Sequence, residues 1–301
     1  MKNSLFIDTP NNFSFRATVY SHGWCELAPF DLDVENWRLN YVFHDAKGRA
    51  VPAVIYEEKG RIRIDLSDSQ ADAGRIIEDT RHLLRLDDDL DGFYNAIRGH
   101  DRLQWVGEKR AGRLLRSATV WEDLVKTICT TNCSWALTKS MVANLVEKLG
   151  TPAGAQAASL RASAEKRAFP TAEAMAAVND DFYRTEIRAG YRSPYFVELA
   201  EGVAAGKLDP QSWLTSELPT AELKKEMKKV KGVGDYAAEN LLKLVGRYDG
   251  LALDSWLRSQ FYKNHAGGKA CSDKKIERHY KKFGSWRGLV IWCDMTEKWV
   301  N

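Results

Sequence analysis

The sequence lacks several features that would place a protein in a class at once. It has no apolar run of about 18 residues, as a membrane-spanning helix requires, and its start lacks the apolar centre of a signal peptide. The cysteines are scattered and odd in number, which argues against a disulfide framework. These are Cys25, Cys129, Cys133, Cys271 and Cys293. We therefore expect an intracellular protein, with no membrane association and no disulfide framework.

The sequence also lacks the residue spacings that are typical of zinc and calcium sites. Cys129 and Cys133 stand near each other, but no second cysteine pair or nearby histidine completes a zinc site. The acidic segment 87–91 lacks the alternating ligand spacing of a calcium loop. We expect its carboxylates to cap and charge the start of a helix instead. The sequence predicts no metal site built from side chains.

The overall composition is that of an ordinary globular chain, with 301 residues, 44% hydrophobic residues and a mean hydropathy of -0.42. The net charge of +3 is unevenly distributed. Residues 1–95 contain 11 Lys and Arg against 17 Asp and Glu, whereas residues 96–301 contain 33 against 24. A nucleic-acid-binding half joined to a non-binding half would show this asymmetry, although solvated surface charges are the simpler alternative.

The first part of the chain is rich in aromatic and β-branched residues separated by turn signals, which predicts an antiparallel sheet. The predicted strands are 13–20, 37–43, 51–56 and 61–66, the last two forming a hairpin. Helical periodicity begins at Ala71 and dominates the remainder. We predict an α+β protein, with a sheet domain and trailing helix over residues 1–95 and an α-helical domain over residues 96–301.

Several helix signals stand in the second part. Apolar helical patterns over 120–129 and 141–149 flank a polar stretch, which predicts Asn132 at an exposed helix end. The alanine-rich segment 152–166 is predicted as a surface excursion or a short helix. Thr171 is expected to cap the helix that follows it.

Two further helical patterns, 223–230 and 237–245, flank a Gly-Val-Gly turn. Glycines allow left-handed backbone angles and a close approach to a ligand. The second helix should start after Gly234 and present unpaired N–H groups, which bind phosphate. A tight helix–helix connection without a ligand would have the same pattern.

Asp254 follows this turn after one helix and a short loop, and the combined pattern resembles the helix-hairpin-helix DNA glycosylases. The resemblance implies that Asp254 is the catalytic aspartate and that the hairpin binds DNA phosphate through Lys231, Gly232, Val233 and Gly234. It also implies a sheet domain similar to the TATA-binding protein. No cofactor is expected, except that a monovalent cation could bind the carbonyls of Val230 and Gly232.

Two segments resemble the 8-oxoguanine and alkylpurine branch of that family. Its Ile-Cys-x-x-Asn region ends here at Asn132, and its Gly-Tyr-Arg-x-x-Tyr motif places a tyrosine at Tyr191. The resemblance implies that both side chains wedge into the duplex when a nucleotide is extruded. The structural alternatives are a helix cap for Asn132 and a buried aromatic for Tyr191.

The base pocket is predicted from the same resemblance. His22 and Trp24 stand in a Gly/Pro-bounded segment of the sheet domain, for which a packed loop is the structural alternative. Tyr236 and Trp256 flank the hairpin and the aspartate. Tyr236 occupies the position of the lysine nucleophile in bifunctional members, while Lys231 and Lys243 are displaced from it. Trp256 stands where the 8-oxoguanine enzymes have a histidine.

These departures predict a monofunctional enzyme that acts on double-stranded DNA with a damaged base, and a monomer is assumed by default. Water would attack the sugar and an abasic site would remain. We favour alkylated purines, which aromatic faces attract, over oxidised or deaminated purines such as 8-oxoguanine. A lyase that uses another lysine is a further alternative. The rival from a different class is a non-catalytic DNA-binding protein that uses the hairpin only to hold phosphates.

Overall fold

The computed structural model of the chain describes residues 3–68, 70–154 and 166–300. The predicted excursion or short helix over 152–166 lies almost entirely outside these residues. Across the described ranges, the structure contains no helix that is both long enough and apolar enough to span a membrane.

An antiparallel sheet forms the N-terminal part, as predicted. It has five strands in the order β1-β5-β4-β3-β2. The central strands align Leu39, Ile55 and Ile64 in register, and all three side chains are fully buried. This apolar face packs against the helices. The strands are β1 Asn3–Asp8, β2 Asp31–Asp33, β3 Arg38–His44, β4 Ala50–Glu58 and β5 Arg61–Leu66.

The helices follow the sheet, except for α1, which lies between β1 and β2. In the described part of the chain they are α1 Phe15–Val19, α2 Ala73–Leu84, α3 Asp91–Ile97, α4 Gln104–Glu108, α5 Val120–Thr130, α6 Trp135–Leu149, α7 Ala172–Ala176, α8 Asp180–Thr185, α9 Ser193–Ala204, α10 Thr220–Met227, α11 Asp235–Leu244, α12 Ser255–His265, α13 Asp273–Tyr280 and α14 Arg287–Val300. The predicted cap of α7 is confirmed, because the Thr171 hydroxyl accepts from the N–H of Ala174.

The predicted strand over 13–20 is wrong, since this segment contains helix α1. The Ser14 side chain caps α1 by accepting from the N–H of Ala17, and the Thr18 hydroxyl donates to the Ser14 carbonyl at 2.8 Å. Such local side-chain bonds outweigh β propensity. The edge strands β1 and β2 were not predicted from the sequence.

The acidic cluster before α3 was expected to cap and charge the start of that helix, and this prediction is confirmed for part of the cluster, since Asp91 lies in the first turn. Asp89 does accept from the N–H of Asp91 at 2.8 Å. Asp88 instead forms an ion pair with the fully buried Arg85 and lies 3.5 Å from the guanidinium of Arg116. These arginines bring charge into the core, where a carboxylate partner is needed.

Helix α5 connects the sheet to the helical part and is buried over most of its length. The Tyr41 hydroxyl, on β3, donates to Glu122 at 2.7 Å, and Glu122 forms a buried ion pair with Lys126 at 2.6 Å. This network fixes the helix, and with it the position of the polar loop that follows Thr130.

Candidate active site

The Gly-Val-Gly turn joins α10 and α11 as predicted. The N–H of Val233 donates to the Val230 carbonyl at 3.0 Å, and Gly232 has a φ of +89°. Gly234 has a φ of -85° and a ψ of -172°, so the expected left-handed conformation is wrong for this glycine. A Cβ on Gly234 would meet no atom within 4 Å. The backbone here is therefore open to close approach by a ligand.

Helix α11 starts at Asp235, directly after Gly234, and no side chain caps its N-terminus. The first-turn N–H groups are thus available to an anion. The exposed carboxylate of Asp235 lies 3.0 Å from both Lys224 and Lys228. Lys231 is also exposed and forms an ion pair with Glu198.

Asp254 is the N-cap of α12 and is half-buried. Its Oδ1 accepts from the N–H of Leu257 at 2.7 Å. The described residues make no further hydrogen bond to this carboxylate, which leaves Oδ2 available to a ligand. Asp254 lines both a deep pocket and a neighbouring open groove, so it lies where the two cavities meet.

The deep pocket has a volume of about 590 Å³, which is in the range of small-molecule sites. All four residues predicted to form the base pocket line it together with Asp254, namely His22, Trp24, Tyr236 and Trp256. The structure therefore brings residues of the sheet part and of the helical part to one cavity.

Tryptophan side chains form much of the pocket wall. The Trp24 indole N–H donates to the buried Asp123 at 2.7 Å, which fixes the ring. Trp256 lies 5.9 Å from Trp292 and 5.2 Å from Trp299, measured between ring centroids. Trp292 and Trp299 both line the pocket, and Trp292 also packs against the apolar core.

The predicted pocket groups that titrate are uncharged at neutral pH. Burial lowers the pKa of His22 to about 4, and its Nε2 lies 2.7 Å from the Leu115 carbonyl. Since a carbonyl only accepts, Nε2 carries the proton and Nδ1 is an acceptor. Burial and the charge of Asp254 raise the pKa of the Tyr236 hydroxyl to about 12.

Lys243 also lines the pocket, although it is displaced from the nucleophile position expected from the sequence. Its side chain is 3% exposed, and its Nζ donates to the Leu251 carbonyl at 3.2 Å. Burial lowers the pKa of its amine to about 8. A signal was present in the sequence, because Tyr236, Asn240 and Lys243 have the spacing of one helix face.

The groove next to the pocket contains both predicted wedge residues. Asn132 is exposed, has a φ of +46°, and its Nδ2 donates to the Tyr191 hydroxyl at 3.3 Å. The alternative of a helix cap for Asn132 is wrong, because Ser134 caps α6. The alternative of a buried aromatic is wrong too, since Tyr191 is 48% exposed.

Arg192 and Tyr195 connect the wedge residues to the hairpin. The buried Arg192 guanidinium donates to the carbonyls of Ile128 and Thr131 and lies 4.5 Å from the Tyr191 ring centroid. A Cβ on Gly232 would lie 2.9 Å from the Tyr195 ring. The hairpin is thus packed against the start of α9, which directly follows Tyr191 and Arg192.

One group of side chains away from the pocket has donor atoms close enough for a metal ion, namely His265, His279 and Asp294, within 4.8 Å of one another. Asp294 already accepts from His265 at 2.7 Å, from Tyr280 at 2.6 Å and from Arg102 at 2.9 Å. This hydrogen-bond network accounts for the cluster without an ion.

Comparison with known proteins finds similarity in structure only. No protein-family model matches the chain, and no curated protein matches it. The 3-methyladenine DNA glycosylase from Archaeoglobus fulgidus is 17% identical over 98% of each chain, with a TM-score of 0.76. MBOgg1, in complex with a low affinity DNA ligand, is 18% identical over 99% of each chain, also with a TM-score of 0.76.

A third solved structure is the 8-oxoguanine glycosylase/lyase from Clostridium acetobutylicum, in complex with double-stranded DNA that contains cytosine opposite 8-oxoG. It is 17% identical, covers 99% of this chain and 97% of its own, and gives a TM-score of 0.72. The chain therefore has the fold of these DNA glycosylases over nearly its whole length. At the level of the fold, the resemblance predicted from the sequence is confirmed.

Proposed function

We propose that this chain is a base-excision-repair DNA glycosylase, which extrudes a damaged purine from duplex DNA and hydrolyses its N-glycosidic bond. One observation carries the proposal. Asp254 lies at the junction between an aromatic pocket large enough for a purine and an open groove bounded by the hairpin and the wedge residues. A flipped nucleotide in this position has its base in the pocket and its sugar beside the carboxylate.

Each part of the groove has a role in holding the DNA. The open N-terminus of α11, after Gly234, binds a backbone phosphate through its N–H groups. Asn132 and Tyr191 occupy the gap that the extruded nucleotide leaves in the stack, which offsets the cost of unstacking. Phosphate contacts position the duplex, while the pocket selects the base.

The chemistry depends on the Asp254 carboxylate. As the bond from C1′ to the base nitrogen breaks, the base leaves with the electron pair and positive charge develops on the sugar. The carboxylate stabilises this charge and accepts a proton from the attacking water. The water oxygen then bonds to C1′, and the departing base takes up a proton.

We propose that the reaction is monofunctional. Tyr236 stands where a Schiff-base lysine is expected, and its raised pKa keeps the phenol protonated at neutral pH. Lys243 is the lysine among the described pocket residues, but it stands seven positions after Tyr236 on α11 rather than at the expected nucleophile position. The tyrosine at that position supports hydrolysis by water and an abasic-site product.

The substrate predicted from the sequence is an alkylated purine. The tryptophan-lined wall supports this choice, because aromatic faces attract electron-poor rings. An oxidised or deaminated purine is a second candidate, and the buried amine of Lys243 favours it because an ammonium repels a base with a positive charge.

Four sequence predictions remain proposals. They are a sheet domain similar to the TATA-binding protein, the division into residues 1–95 and 96–301, a monomeric state and a monovalent cation on the hairpin.

Two backbone carbonyls of the hairpin support such a cation. The Val230 carbonyl accepts one hydrogen bond and keeps a second lone pair, and the Gly232 carbonyl has no backbone partner among the described residues. These oxygens would hold the ion and steady the phosphate-binding turn.

The proposal is tested by incubating the wild-type chain with duplex oligonucleotides that carry single damaged purines. We expect strand breaks only after hot alkali, which cleaves abasic sites, and no adduct on borohydride reduction. A borohydride-trapped adduct would contradict the monofunctional mechanism. DNA binding without base release from any substrate would favour the non-catalytic DNA-binding protein.

A further inference from the structure

We propose that Lys243 is a specificity-determining residue, which donates a hydrogen bond to a carbonyl oxygen of the extruded purine and disfavours bases with a fixed positive charge. This inference rests on the proposed function and selects the second of its two substrate candidates, the oxidised or deaminated purines. The favoured base is an uncharged purine with a lactam edge, in which a ring carbonyl stands next to a ring N–H. Oxidised and deaminated purines have this edge.

The position of Lys243 follows from its place on α11. It stands seven residues after Tyr236, two helical turns along the same face, so both side chains reach the same cavity. With 3% of its surface exposed, the lysine is shielded from bulk water. Its amine is therefore a fixed feature of the pocket rather than a mobile surface charge.

The amine has unused hydrogen-bonding capacity. A protonated lysine carries three N–H groups, and the Leu251 carbonyl, 3.2 Å away, takes one of them. Among the described residues no carboxylate lies within 4.0 Å of Nζ. The nearby Glu239 is already engaged, since its oxygens accept from Lys224 and from the N–H of Ala252, each at 2.6 Å. Two N–H groups remain for a ligand.

His22 provides an acceptor in the same pocket. Its Nε2 is committed to the Leu115 carbonyl, which leaves Nδ1 free to accept. The Lys243 donor and the His22 acceptor together complement a carbonyl beside an N–H, which is the lactam edge. A cationic alkylated purine would place its charge in the same buried cavity as the ammonium, where like charges repel strongly.

The experiment measures single-turnover base release from duplexes containing hypoxanthine, 8-oxoguanine, 7-methylguanine or 3-methyladenine. Each rate is divided by the spontaneous loss of the same base, because cationic bases leave readily without an enzyme. The wild-type chain is expected to accelerate release of at least one lactam base more than that of either cationic base. This comparison needs no variant and is valid however substitutions affect folding.

The Lys243→Met variant removes the charge and the donor while keeping a long side chain. We expect release of the lactam base to fall about 100-fold, which is typical when an active site loses one positioned hydrogen-bond donor. Release of the cationic bases should fall less or rise. Lys109→Met, at an exposed lysine, is the matched control and should leave both unchanged.

Three results would overturn the inference. They are a wild-type preference for cationic bases, an equal loss for all bases in Lys243→Met, and a borohydride-trapped adduct that disappears in that variant, which would make Lys243 a nucleophile. Failure of the proposed function has a different signature, because the wild-type chain would then release no base from any duplex.

Discussion

The contact between Asn132 and Tyr191 links the two side chains that we propose enter the duplex. Asn132 holds its left-handed backbone conformation in an exposed loop, where asparagine is one of the few residues that adopt it at low cost. Its amide and the Tyr191 hydroxyl are 3.3 Å apart in the free chain. The wedge is therefore in place before the DNA binds.

Replacing Asn132 by glycine tests this role. Glycine accepts the φ of +46°, so the loop should keep its conformation and the unfolding free energy should change by less than about 0.5 kcal/mol. Base release should fall at least about tenfold, because nothing fills the gap left by the extruded base. Single-turnover excision and urea unfolding measure the two effects. Unchanged excision would remove Asn132 from the flipping mechanism.

At the residue scale, the sequence identified the site residues that stand in motifs, but it identified only some of the residues that line the pocket. Asp254, Asn132 and Tyr191 follow recognisable local motifs, and the structure brings them to connected cavities. Trp299 was not predicted because no motif surrounds it, and Lys243 was noted only as displaced from the nucleophile position and was not placed in the pocket. Their positions depend on how α11 and α14 pack against the loop after α1, and sequence periodicity does not determine that packing.

At the scale of elements, the hairpin between α10 and α11 offers a matched pair of substitutions. Gly232→Ala requires a left-handed alanine whose Cβ would lie 2.9 Å from Tyr195, whereas Gly234→Ala is placed in ordinary extended backbone with open space around its Cβ. We expect Gly232→Ala to lower the unfolding free energy by about 1–3 kcal/mol.

Gly234→Ala should have the opposite effect, with little change in stability but weaker DNA binding. Gly234→Ala should leave the unfolding free energy within about 1 kcal/mol of the wild-type value, or raise it, because it restricts the unfolded chain. Its methyl group stands in the proposed phosphate path, so the affinity for duplex DNA should fall. Denaturant unfolding and DNA titration separate the two variants. Equal affinity for Gly234→Ala and wild type would remove Gly234 from the DNA contact.

Elements with strong periodicity were predicted well, and elements fixed by local polar contacts were not. The apolar patterns of α2, α5 and α11 and the hairpin β4–β5 appear in the structure as expected. Helix α1 depends on Ser14 and Thr18, whose hydroxyls bond to the backbone, and the sequence pattern there resembles a strand. The edge strands β1 and β2 contain polar and charged residues, so their sequences lack the apolar pattern of a buried strand.

At the scale of the whole molecule, buried arginines connect the site to the core. Arg85 donates to the carbonyls of Lys243 and Leu244 at 3.0 and 3.3 Å, so it satisfies the C-terminal end of α11. The same helix carries the proposed phosphate site at its N-terminus and Lys243 along the pocket. Stability of the core and geometry of the pocket are therefore coupled.

Two half-buried histidines make this stability depend on pH. Burial lowers the pKa of His22 to about 4 and that of His82 to about 3, from an ordinary value of 6.5. Below pH 6.5 the unfolded chain binds protons that the folded chain does not. The unfolding free energy should therefore fall as the pH decreases from 6.5 towards 4, by up to about 1.4 kcal/mol per pH unit for each histidine.

Urea unfolding of the wild type and of His82→Gln over this pH range tests the prediction. The variant should show a shallower loss of the unfolding free energy as the pH falls, because one of the two groups no longer titrates. His100→Gln, at a histidine on which the prediction does not rest, is the control. An unfolding free energy that does not change between pH 6.5 and 4 would contradict the neutral state of His22 and His82.

The most direct measurement of the central claim is single-turnover base release by Asp254→Asn, together with its affinity for the same duplex. Asparagine keeps an oxygen that accepts from the N–H of Leu257, so α12 should remain capped and the fold intact. We expect release to fall at least about 100-fold while DNA affinity is retained, because the stabilising charge is lost. Asp249→Asn, outside the pocket, is the control. Release by Asp254→Asn at the wild-type rate would contradict the account.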